Sequence, residues 1–82
     1  MPRYYFDLKD ERGIAIDEEG QDLRDLGAAQ NEAARSLGGM ARDALASTTG
    51  SNAEHMEISV RDDDGPVMVV RFYFQVDSQR RS

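Results

Sequence analysis

The chain has no cysteine, no tryptophan, a single histidine (His55) and two prolines. Without cysteine there can be no disulfide and no thiolate metal centre, and one histidine excludes a polyhistidine metal cage. No apolar run approaches the roughly 20 residues that a membrane-spanning helix needs. The opening Met1-Pro2-Arg3-Tyr4 has no basic segment leading into an apolar one, so no signal peptide is expected. A cysteine-free chain without a leader fits a reducing compartment, and a cytoplasmic location is expected. Positive charge is also scarce. Ten Lys and Arg stand against 16 Asp and Glu, a net charge of −6. That balance favours solubility and disfavours non-specific binding to nucleic acid or acidic membranes.

What is present is periodicity. In residues 3–9 Tyr4, Phe6 and Leu8 alternate with Arg3, Tyr5, Asp7 and Lys9, the period of a strand. Asp10-Glu11-Arg12-Gly13 supplies a turn, and Ile14-Ala15-Ile16 a short second strand. A helix over about residues 25–47 follows, with Asp22 or Asp25 to cap its start. Leu26, Ala29, Ala33, Leu37, Met40, Ala41, Ala44 and Leu45 form its apolar stripe. Gly38-Gly39 is a local conflict in this helix, since each glycine costs up to ~1 kcal/mol relative to alanine; a kink there is one outcome. Residues 47–52 (STTGSN) read as a polar loop.

A third strand is expected over residues 55–61, with Met56, Ile58 and Val60 inward. The Asp62-Asp63-Asp64-Gly65 turn leads to the longest strand, over residues 67–76, whose Met68, Val70, Phe72, Phe74 and Val76 face the helix. The expected fold is α+β, a two-layer sandwich of order β-β-α-β-β with one helix on a four-stranded, mainly antiparallel sheet. Residues 1–77 form one domain and residues 78–82 a fraying tail. The first and last strands are the most apolar and are expected at the centre, giving the order second-first-fourth-third.

No chemistry-bearing constellation stands out. The consecutive acids of Asp62-Asp63-Asp64 lack a calcium loop's alternating ligands and its closing glutamate, so they read as an ordinary hairpin turn. Asp17, Glu18, Glu19, Asp22 and Asp25 read as loop solubility and favourable charge near a helix start. Asp7, mid-strand, pairs across the sheet with Arg61 or Arg71. Ser47, Thr48 and Thr49 have no base in their sequence context. No catalytic residue, cofactor or metal site is expected, and the chain is not expected to be an enzyme.

The sheet face opposite the helix is the informative surface. Alternation places Arg3, Tyr5, Arg61, Val67, Val69, Arg71 and Tyr73 on it, together with Lys9, Asp7, Glu57 and Gln75. Tyrosine and arginine are favoured interface anchors, and a domain this small buries only about 60% of its unfolded surface. A homodimer through this face or an edge strand is therefore expected. Two other readings stay open: a stacking platform for single-stranded nucleic acid, against which the acidic rims act, and a solvated face of cross-strand ion pairs.

The opening MPRYYFD, Asp17-Glu18-Glu19-Gly20, LRDLGAAQNEA from Leu23 to Ala33, and Met40-Ala41-Arg42-Asp43-Ala44 resemble a family of small uncharacterised proteins of rhizobia and related alphaproteobacteria. That family is a domain of unknown function, and the resemblance implies a bacterial cytoplasmic protein with no activity to carry over. A looser resemblance, in the hairpin, the acidic-Gly loop and the Glu32-Ala33 helix pair, runs to antitoxins of the HicB type. It implies an inhibitor whose acidic loops meet a basic toxin ribonuclease. No appended DNA-binding segment is recognisable in the sequence, so an autorepressor role is not expected.

Overall fold

A computed structural model describes residues 1–46, 52–77 and 79. Strand β1 (Arg3–Asp10) turns into β2 (Gly13–Ala15), and a two-residue strand β3 (Gln21–Asp22) follows. Helix α1 (Leu26–Ala46) then leads to the long hairpin of β4 (Asn52–Asp62) and β5 (Gly65–Val76). The α+β architecture expected from the sequence is present, with β3 added. The 47–51 stretch of the expected polar loop lies outside the described residues, as do Ser78 and residues 80–82 of the expected tail.

One device recurs at the turns. Asp10 Oδ1 accepts the N–H groups of Arg12 (2.8 Å) and Gly13 (3.2 Å). Asp62 Oδ1 accepts that of Asp64 (2.8 Å). Each aspartate stabilises its own turn, as Asx residues do. The Asp62 carboxylate is thus engaged in a tight hairpin between the paired residues Asp62 and Gly65.

Asp25 caps the helix by accepting the Ala28 N–H at 2.8 Å. Asp22, the other expected cap, pairs instead with Arg3 (3.2 Å) from its place in β3. The helix runs unbroken through Gly38-Gly39. Its buried residues, Ala29, Ala33, Leu37 and Ala41, repeat at strict four-residue steps, and three are alanine. A ridge so low lets the helix lie close on the sheet, over β4 and β5. Those small residues meet Tyr4, Met56, Ile58, Val60 and Phe74 in the core. The inward residues expected from alternation are found inward. Leu26 and Leu45, at the ends of the expected stripe, are exposed.

The strand order is β2-β1-β4-β5, every pair antiparallel, with β3 pairing the far end of β1. This corrects the expected order, which put the last strand at the centre. Strand β4 takes the central place, paired with β1 on one side and β5 on the other, and the hairpin turn is compatible with either order. The apolar character of β5 comes from one face packing toward the helix, not from neighbours on both sides. A bulge at Val60/Arg61 sets Pro66 opposite Arg61 and Met68 opposite Val60, leaving Val67 as the extra residue. Val67 therefore departs from the alternation and packs, half-buried, against the core rather than on the open face.

Candidate functional site: the open face of the sheet

The face opposite the helix divides into two parts. Over β1 and the first half of the chain it is a closed network. Tyr5 stands directly opposite Arg61 in the β1/β4 register, and the guanidinium lies 4.4 Å from the ring centroid. This is cation–π geometry. Arg61 Nε donates to Asp7 Oδ2 at 2.9 Å, and another guanidinium nitrogen donates to the Asp17 carbonyl at 2.8 Å. Asp7 thus takes Arg61, one of its two expected partners. The hydrogen bond to Asp7 is the main reason the Arg61 pKa lies even higher than usual.

Asp17 is the hub of this network. Its Oδ1 accepts the N–H groups of Glu19 and Gly20, each at 3.1 Å. Its Oδ2 accepts the Phe6 N–H at 3.1 Å, and its own N–H donates to Asp7 Oδ1 at 3.0 Å. Burial pushes the Asp17 carboxyl up, but bonds from Gly20, Phe6 and Glu19 and the nearby charge of Arg61 outweigh it, and the pKa falls below its ordinary value. In the sequence Asp17 stands out only as one acid of a solvated loop. The signal was Asp-x-x-Gly, which occurs at Asp10–Gly13, Asp17–Gly20 and Asp62–Gly65. Gly20 completes the clasp at φ +72°, so near Tyr5 that an added Cβ would lie 2.8 Å from its ring.

Two further cations of the face, Arg3 and Arg71, are held too. Arg3 donates to the Glu19 carbonyl at 2.6 Å and pairs with Asp22. Arg71 donates to Glu57 at 3.1 Å, and His55 lies 3.8 Å from the same carboxylate. Lys9 stands opposite Glu57 in the register. The locally basic face expected from alternation is therefore largely charge-compensated, and it offers a phosphate backbone little uncompensated positive charge.

The second part, along β5, is open. Val69 is 43% exposed and Tyr73 63% exposed. The Tyr73 hydroxyl donates to Gln75 at 3.2 Å. Among the described residues β5 pairs with β4 alone, so its other side is a free sheet edge. Of the seven residues expected on the face, Arg3, Tyr5 and Arg61 belong to the closed network, Val69, Arg71 and Tyr73 to the open part, and Val67 to the core.

Elsewhere a hollow of about 230 Å³ lies between α1 and β1, lined by Leu8, Met40, Ala44 and Met56 with Asp10, Arg12 and Asp43. It is smaller than ordinary small-molecule sites, which begin at about 300 Å³. Among the described residues no three or more Asp, Glu or His side chains gather as a metal site. No helix among them is long and apolar enough to cross a membrane.

No curated protein and no solved structure matches the chain. A family model does match, over residues 3–73, a span that takes in every expected face residue from Arg3 to Tyr73. The chain belongs to the family described as Domain of unknown function (DUF6894).

Proposed function

We propose that this domain is a non-enzymatic interaction module that works by self-association in the cytoplasm. One observation carries the reading: exposed Val69 and Tyr73 stand on a long strand whose outer edge is unpaired among the described residues. Exposed edge strands are the places where sheets recruit further chains. Tyrosine and arginine side by side supply the residue types that dominate interface energetics. The carboxylates on this face are engaged: Asp7 and Asp17 hold Arg61 and backbone N–H groups, and Glu57 holds Arg71.

Light scattering across micromolar concentrations tests the proposal. A dimer is expected, twice the 9.2 kDa of one chain. A mass that stays at one chain when the protein is concentrated overturns it.

A further inference from the structure

Self-association can use either edge of the sheet. Two edges bound the sheet, and they differ in charge. The β2/β3 edge is broken into two short pieces, with Glu11, Asp17, Glu18, Glu19 and Asp22 along the same stretch of chain. Strand β5 is 12 residues long and holds no acidic residue, only Arg71 among charged types. Two copies of a chain with net charge −6 repel each other. The repulsion is least where acids are absent. Natural edges are guarded by proline, bulges and charge. Here Pro66 and the bulge at Val67 guard one end of β5, and residues 68–76 carry Arg71 as their single charge.

The residues of β5 also select a register. A two-fold antiparallel pairing centred on Arg71 would set two guanidinium groups directly opposite each other, which is unfavourable. Centred one residue later, on Phe72, the same pairing sets each Arg71 opposite Tyr73 of the other copy. The sheet already contains that pair. Tyr5 stands opposite Arg61, with the guanidinium on the ring and a carboxylate, Asp7, at its edge. Arg71 has its carboxylate, Glu57, at 3.1 Å. Among the described residues no ring lies against Arg71 and no cation lies over Tyr73. A second copy supplies both.

We infer that β5 pairs with β5 of a second copy about a two-fold axis at Phe72, joining two sheets into one and stacking each Arg71 on Tyr73 of the other copy. This rests on the self-association reading and narrows it to one edge and one register.

Because the chain has no cysteine, a Val69→Cys/Gln75→Cys variant gives a direct readout. In this register Val69 of one copy faces Gln75 of the other. Within one chain the two positions lie six residues apart along a strand, roughly 20 Å, beyond a short bis-maleimide. The double variant is expected to yield a covalent dimer with that reagent, and neither single variant is. Both positions are exposed, and circular dichroism checks that the fold is kept. Tyr73→Ala is expected to weaken the dimer at least about tenfold, and Tyr73→Phe to retain it, since the ring makes the contact. A dimeric wild type whose Val69→Cys/Gln75→Cys variant does not cross-link, or whose dimer tolerates Tyr73→Ala, overturns this inference and leaves self-association standing. A monomeric wild type overturns both.

Discussion

Asp17 takes the place of a strand partner. Between β2 and β3 the chain leaves β1, and the Asp17 carboxylate accepts the Phe6 N–H that no neighbouring backbone meets there. Its pKa is lowered in the folded protein. The stability it contributes is therefore fully present above the unfolded value, near 3.8, and lost as pH falls through the lower folded value. Urea midpoints measured from pH 6 to pH 2 should show this loss in the wild type and a shallower acid dependence in Asp17→Asn. Equal slopes would mean that the clasp contributes nothing in acid. Gly20 makes a separate prediction. Alanine there meets both a left-handed backbone and the ring of Tyr5, which Arg61 holds from above. Gly20→Ala should cost about 1–3 kcal/mol in urea unfolding, and no loss would show that the loop readjusts freely. Neither role was legible from composition: a run of acids looks like a solvated loop until the Asp-x-x-Gly spacing is noticed. Tyr5, Asp7 and Arg61 were legible as sharing a face because strand alternation is strict.

The helix shows what propensity leaves to tertiary structure. Gly38-Gly39 conflicts with a helix, yet α1 continues through it because Leu37 and Ala41 on either side are buried against the sheet. A Cβ at either glycine would meet nothing within 4 Å. Gly38→Ala should therefore raise stability, by up to about 1 kcal/mol, read as an upward shift in urea midpoint; a decrease would reveal a tighter neighbour or a functional bend. At the helix start, Asp25→Ala removes the cap on Ala28 and should cost about 1 kcal/mol in the same assay. Among the strands, period-two patterning marked the inward residues of β1, β4 and β5. It missed β3, because two residues carry no period. It also misplaced Val67, because a bulge shifts alternation without leaving a composition signal. The order of strands was misjudged because apolar content was equated with central position.

At the scale of the whole molecule, charge opposes association and the edge permits it. If two copies of a −6 chain meet along β5, added salt screens their mutual repulsion while leaving backbone pairing and ring stacking largely unaffected. Sedimentation at 50 and 300 mM NaCl should show a tighter dimer at the higher salt; weakening would point to an interface built from intermolecular ion pairs. The broken edge formed by β2, the Asp17 loop and β3 bears on stoichiometry. A sheet with two equivalent open sides can keep adding chains and grow into a fibre. Here the two sides differ: the Asp17 carboxylate fills the break between β2 and β3 by taking a β1 N–H, while the proposed two-fold pairing of β5 would use the other side in a single isologous step. On the proposed pairing the two β5 edges would face only each other, and growth through that edge would stop at two.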